Sequence, residues 1–243
     1  MNHLTISKGL ACCQKIIIVS RLRIEGGERD FLTSTAEFKK LIESLASEKA
    51  PGPSTTFSMF HIYYALELMA KKPIGRTKLA EKLGVGEGAI RTIVHHLQDA
   101  GLIVTEKTGM RLTKKGETTW LKFEELFPKR VEVEKNQLTH SNYNFAILVK
   151  DSGSKVKSGI EQRDAAIMGG AKRALAIISH EGRLIIHSVT NSIEAEYPDA
   201  AQAILKEIKP DDNDVIIIAG SDDDSAKARR GAFAAAWVLI GDL

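Results

Sequence analysis

The stretch from Gly75 to Leu97 constrains the fold of this chain more than any other. Leu79, Ala80 and Leu83 share one side of a short helix expected over about Arg76–Lys82. Gly84 can take the left-handed conformation that ends a helix, and Gly84-Val85-Gly86 leaves room only for a tight turn. Ile90, Ile93, Val94 and Leu97 then recur at helical spacing, which predicts a second helix from about Glu87 to Ala100. Helices joined by so short a turn must cross closely. Ala80 is small where they do, and Val85 plugs the space between them. The front of the second helix is left to Glu87, Gly88, Arg91, Thr92 and His95, with His96 at its margin. That is the geometry that lays a recognition helix in the DNA major groove.

Gly101 ends the second helix. Leu102–Glu106 and Met110–Thr113 read as two short strands around a Lys107-Thr108-Gly109 tip, a wing placed to reach phosphates or the minor groove. Thr113-Lys114-Lys115-Gly116 opens another helix, through Trp120 and Phe123 to Phe127, stopped by Pro128. Trp120, Phe123 and Phe127 form a stripe that fits either packing on an upstream helix or a dimer seam. The upstream helix is expected from about Thr56 to Lys71, capped by Ser54, Thr55 or Thr56 and stopped by Pro73.

Three runs carry a resemblance: Leu79-Ala80-x-x-Leu83-Gly84-Val85, Ile90-Arg91-x-x-Val94-x-x-Leu97-x-x-Ala100-Gly101-Leu102-Ile103, and Met110-Arg111-Leu112-Thr113-x-x-Gly116. In order and spacing they resemble the winged-helix transcriptional regulators of bacteria and archaea. The resemblance implies double-stranded DNA as the partner and, as in many such regulators, a homodimer reading two half-sites. Gly86 and Gly88 depart from it, standing where such proteins often carry Ser, Asn or Thr.

Charge is divided along the chain in the same sense. Residues 51–130 carry 13 Lys and Arg against 8 Asp and Glu, whereas residues 131–243 carry 13 against 17. A basic part joined to an acidic one fits a polyanion partner for the first alone. The DNA-binding residues expected are Arg76, Thr77, Lys78, Glu87, Gly88, Arg91, Thr92, His95, Lys107, Thr108, Arg111 and Lys114. Arg91 is the base-reading candidate, since its fork matches guanine O6 and N7. Lys71, Lys72 and Lys82 read as solvated charge.

After Val131 the pattern changes. Val131–His140 reads as a polar linker. Expected next are a strand at Phe145–Lys150, a helix at Gly159–Gly170, strands at Arg173–Ser179 and Leu184–Val189, a helix at Ala200–Ile208, a strand at Asp214–Ala219 and a helix at Ser225–Ile240. His180-Glu181-Gly182-Arg183 is a hairpin turn in which Gly182 takes positive φ. The fold class is therefore α+β: a winged helix-turn-helix domain at 51–130, then a small two-layer α/β sandwich at 141–243 with helices on one face of a mostly antiparallel sheet. Gly159–Ala166 and the strand-loop-helix at Asp214–Trp237 resemble those of archaeal winged-helix proteins with a C-terminal domain of unknown function. That resemblance implies a domain similar to the insertion domains of some tRNA-charging enzymes.

For this second domain, ligand sensing or oligomerisation is expected. Arg163, Asp164, Ser221, Asp222 and Asp224 are the candidates to bind a small-molecule effector, though acids at a helix start also serve as caps and offset the helix dipole. No cofactor, catalytic residue or metal is expected. The His95-His96 pair lacks a third ligand at useful spacing, and no dinucleotide fingerprint, Walker loop or nucleophile elbow occurs.

Residues 1–50 read as a partly disordered extension, with a strand at Lys15–Ile24, Gly26-Gly27, and an amphipathic helix at Thr35–Ser47 set off by Ala50-Pro51-Gly52-Pro53-Ser54. The adjacent Cys12 and Cys13 suit a reducing compartment. No apolar run is long enough to span a membrane, and a cytoplasmic location is expected. The function expected is a sequence-specific DNA-binding transcriptional regulator. The alternatives are an enzyme with an accessory winged helix, acting around Asp164 and Asp222–Asp224, and a protein-interaction adaptor of the transcription machinery.

Overall fold

The structure, a computed structural model, describes residues 34–47 and 57–241. The expected strand at Lys15–Ile24, Cys12 and Cys13, the Ala50–Ser54 punctuation and the caps Ser54, Thr55 and Thr56 lie outside the described residues. Helix α1 (Thr35–Ala46) is held at its start by a capping box, in which Ser34 Oγ accepts from the Glu37 amide and Glu37 reaches back to Ser34. Helix α2 (Met59–Lys71) begins two to three residues later than expected, with Ser58 as its cap residue, and ends before Pro73.

Helices α3 (Arg76–Leu83) and α4 (Glu87–Asp99) flank the tight turn. Gly84 has φ +66°, the left-handed cap expected of it. The wing follows as β1 (Ile103–Glu106) and β2 (Gly109–Leu112), antiparallel with Ile103 opposite Leu112, and then α5 (Lys114–Leu126). Thr113 caps α5 by accepting from the Gly116 amide at 3.1 Å. A Cβ at Gly116 would meet the Leu102 carbonyl oxygen at 2.0 Å, so only glycine lets α5 rest on the start of the wing.

Beyond Pro128 the chain enters a five-stranded sheet. Its strands are β3 (Lys129–Val133), β4 (Tyr143–Val149), β5 (Arg173–His180), β6 (Arg183–Ile185) and β7 (Val215–Ser221), in the order β3-β4-β7-β5-β6, every pair antiparallel. The expected linker at Val131–His140 thus begins as an edge strand, whose Val131 and Val133 pack on the sheet core. The expected strand Leu184–Val189 stops at Ile185, followed by a tight Ile186–Thr190 bridge. Glu181 and Gly182 take φ +50° and +75° in the two-residue hairpin turn, as the twist of the paired strands favours.

The remaining helices are α6 (Ile160–Met168), α7 (Ile193–Glu196), α8 (Pro198–Glu207) and α9 (Ser225–Val238). The α+β class with an antiparallel sheet is as expected, but its layering differs. Alternate residues of the central strands point to two separate cores. Phe145, Ile147 and Val149 meet the α6 and α9 side with Ile217, whereas Ala146, Leu148, Ile216 and Ile218 meet Ile193 of α7 and Ala201 and Ile204 of α8. The sheet is therefore covered on both faces, which is why β4 and β7 read as unbroken apolar runs.

The α9 side of the sheet and the winged helix share one core. Tyr63 of α2 stacks on Phe233 of α9 with ring centroids 4.5 Å apart, and Phe38 of α1 meets Phe123 of α5 edge-on at 4.7 Å. Phe123 and Phe127 are fully buried in this cluster. Phe123 and Phe127 of the α5 stripe are therefore interior packing, and Trp120, half-buried, stacks on Tyr63 of α2.

Candidate nucleic-acid interface

The face expected to meet DNA is built on a rigid back. Leu79 and Leu83 of α3 and Ile90, Ile93 and Leu97 of α4 are buried, which turns Glu87, Gly88, Arg91 and His95 outward. Thr92 is half-buried, and its hydroxyl donates to the Gly88 carbonyl at 3.2 Å. Arg76, Thr77 and Lys78 are exposed on α3, Lys107 and Thr108 form the wing tip, and Arg111 and Lys114 are exposed beside it. No described residue covers this face.

His96 departs from its expected place at the margin of the face. It is buried, its Nδ1–H donates to the Leu45 carbonyl of α1 at 2.8 Å, and its ring lies against Phe57. His95 instead faces solvent, 3.3 Å from Asp99. The two imidazoles have different partners, and no group of three metal-ligating side chains occurs among the described residues.

The wing is tied down on both sides. Gln98 of α4 donates to Thr105 of β1 at 3.1 Å. Ile74 pairs with Met110 through two backbone hydrogen bonds of 3.0 and 2.9 Å, adding a third short segment to the hairpin. Gly109 has φ +123°, and a Cβ there would meet the Ile74 backbone at 2.8 Å. Gly109 is thus required both by its conformation and by this close approach. Neither tie was anticipated from the sequence, because Ile74 stands next to Pro73 and looks like part of a plain turn.

Electrostatically the face is divided. Glu87 Oε1 accepts from Arg91 at 2.6 Å and lies 3.9 Å from Arg76, so it links α3 to α4. The hydrogen bond and charge of Arg91 hold the Glu87 carboxyl below the usual range. On the wing, Glu106 takes Arg111 at 2.6 Å, and that bond likewise lowers the Glu106 carboxyl. Lys78, Lys107 and Lys114 make no side-chain hydrogen bond or ion pair among the described residues. The Glu87–Arg91 spacing of four residues was readable in the sequence as a helical pair. The diagonal Glu106–Arg111 pair required the strand register.

The second set of candidate residues falls on two elements, Arg163 and Asp164 on α6 and Ser221, Asp222 and Asp224 at the connection from β7 to α9. Arg163 and Asp164 pair with each other at 3.0 Å on exposed α6. Ser221 is buried at the end of β7, where its hydroxyl accepts from the Asp223 amide. Asp222 takes Lys172 at 2.6 Å, which holds its carboxyl low, and lies 3.4 Å from Arg173. Asp224 caps α9, accepting from the Lys227 amide at 2.7 Å. These acids are occupied as ion pairs and as a cap. A cavity of about 510 Å³ opens elsewhere, lined by Lys122, Glu125, Lys150, Asp151, Ser152 and Lys155 among others, and contains none of the five.

Comparison with known proteins follows the same division of the chain. Residues 59–127 match the family described as the CggR N-terminal DNA binding domain, and residues 140–239 match a domain of unknown function, DUF4443. Among solved structures, a hypothetical protein from Pyrococcus horikoshii OT3 is similar at 28% identity, with a TM-score of 0.61, covering 75% of this chain and 92% of that one. No curated protein matches. The chain thus joins a winged-helix part, similar to a regulator's DNA-binding domain, to a C-terminal part similar to a domain of unknown function. Among the described residues, no helix is long and apolar enough to cross a membrane.

Proposed function

We propose that the protein is a sequence-specific, double-stranded DNA-binding transcriptional regulator. Helix α4 enters the major groove, Arg91 meets base edges, and the wing and flanking lysines hold phosphates. The observation that carries this is the front of α4, which no described residue covers, flanked by three cations that have no side-chain partner among the described residues: Lys78 on α3, Lys107 on the wing and Lys114 at the start of α5. The match of residues 59–127 to a DNA-binding domain supports it. An adaptor would gain support if the chain's own second domain or residues 1–50 covered this front, and no described residue of either does.

The C-terminal part acts in this account as a brace. Trp237 of α9 donates to Glu43 of α1 at 3.3 Å, and α1 in turn holds the back of α4 through Leu45 and His96. Arg163, Asp164, Ser221, Asp222 and Asp224 serve in this reading as ion pairs, a turn and a helix cap, which does not favour them as an effector site. A homodimer reading two half-sites would not use Phe123 or Phe127, which are buried within the chain.

Fluorescence anisotropy of the full chain with genomic duplex fragments tests the proposal. Salt-sensitive binding is expected, and the Arg91→Ala plus Arg111→Ala double variant should weaken it to the residual non-specific binding that the lysines supply. Equal binding by that variant and the wild type would remove the assigned face.

A further inference from the structure

Glu87 occupies the first position of α4 between Gly86 and Gly88, at the edge of the front facing Arg76 of α3, which lies 3.9 Å from its carboxylate. Its carboxylate and the Arg91 guanidinium are exposed and joined by a single 2.6 Å contact. A carboxylate there repels phosphate, and on entering the groove it loses water and needs a donor in exchange. The major groove offers base donors at cytosine N4 and adenine N6 only. Beside it, Arg91 offers donors that match the guanine acceptors O6 and N7. A G·C pair presents those two acceptors next to the cytosine N4 donor. An A·T pair sets a donor between two acceptors and adds a methyl group. The joined Glu87–Arg91 unit, donors beside an acceptor, complements the first arrangement.

We propose that Glu87 is a specificity-determining residue, reading one G·C pair together with Arg91: cytosine N4 donates to Glu87, and guanine O6 and N7 accept from Arg91. The Glu87 charge also holds Arg91 away from phosphates, which weakens binding to sequences lacking that pair. Its premise is the DNA-binding function proposed above.

The test is selection of bound duplexes from a random-sequence library by the full wild-type chain, Glu87→Ala and Glu87→Gln, followed by anisotropy on the selected duplex and on the same duplex with one G·C changed to A·T. The wild type should discriminate at one G·C position per bound site by roughly tenfold or more. Glu87→Ala should lose most of that discrimination while binding unrelated duplexes more tightly, and Glu87→Gln, which adds a donor, should come to accept adenine there. If both variants strengthen binding to every duplex by one common factor and keep the wild-type preference, Glu87 is only a helix-surface partner of Arg91 and the inference falls alone. If the wild type binds no duplex in a salt-sensitive way, the DNA-binding function falls and takes this inference with it. Far-UV circular dichroism of the variants confirms that the exposed substitution leaves the fold intact.

Discussion

Lys78, Lys107 and Lys114 differ from Arg91 and Arg111 in what binding must first undo. Each arginine is held by a carboxylate at 2.6 Å, whereas the lysines have no side-chain partner to give up among the described residues. The lysines should therefore supply affinity without sequence preference. Replacing any one with alanine should weaken binding uniformly across duplexes and reduce the slope of log affinity against log salt by about 1. Arg91→Ala should instead flatten the preference at one base position, read by comparing cognate and single-substituted duplexes. His61 carries a different residue-scale prediction. It is buried near the start of α2, and its Nδ1 accepts from the Ser58 amide at 2.9 Å, which requires a neutral ring. Burial first, and the charge of Arg230 second, lower its pKa from the ordinary 6.5. The unfolded chain therefore takes up a proton here that the folded chain refuses. Stability is fully present above about 6.5 and falls as pH drops from there toward the lower folded value. Denaturant midpoints from pH 7.5 to 5.5 should show this loss, and His61→Gln, which keeps an acceptor for Ser58 without titrating, should show less of it.

Among the elements, the wing depends on a glycine that does two things at once. Gly109→Ala must take φ +123° and push a methyl group into the Ile74 backbone at 2.8 Å. The cost should be about 1–3 kcal/mol, or more if the wing detaches from Ile74. Gly86→Ser provides the contrast. Its Cβ meets nothing within 4 Å and its φ of −72° is ordinary, so a better cap should leave stability equal or a few tenths of a kcal/mol higher. Thermal melts of the two variants check the difference. The same contrast explains what the sequence could and could not reveal. Helices α3 and α4 were legible because Leu79, Leu83, Ile90, Ile93 and Leu97 state their periodicity within one short stretch, and Gly84 marks the turn. Strand β3 was not, because its alternation of Val131 and Val133 with Glu132 and Glu134 spans only four residues before a polar run, and pairing with β4 is what identifies it. Nor was the second covered face of the sheet, since an unbroken run such as Val215–Ala219 fits one buried arrangement as well as another. On the interface, the exposed residues followed from periodicity. The burial of His96 did not, because it depends on α1, distant in sequence and close in space.

At the scale of the whole molecule, the shared aromatic core joins parts that read as separate domains. Phe233 lies on α9 of the C-terminal part, yet its ring meets Phe60 and Tyr63 of α2 and Phe127 just past the end of α5. Trp237, one turn later, meets Phe38 of α1 and Phe123 of α5. From the sequence alone these two rings look like the inner face of a helix serving its own sheet. With the back of the winged helix built partly from α9, neither part should unfold without disturbing the other. The chain's two tryptophans, Trp120 and Trp237, both belong to this cluster, so their fluorescence reports on it directly. Denaturant unfolding followed by tryptophan fluorescence should coincide with unfolding followed by far-UV circular dichroism, which counts helices and strands on both sides of the cluster. Phe233→Ala should shift both curves together, by about 3–5 kcal/mol, since a large buried ring is removed from a packed site. It should also weaken DNA binding under conditions that partly unfold the variant, although Phe233 lies on α9 and is not one of the residues of the α4 front. Two separated transitions, with Phe233→Ala moving only one of them, would mean that the C-terminal part is an independent domain docked on the winged helix. The path from α9 through Glu43, Leu45 and His96 to α4 would then be a contact without energetic weight.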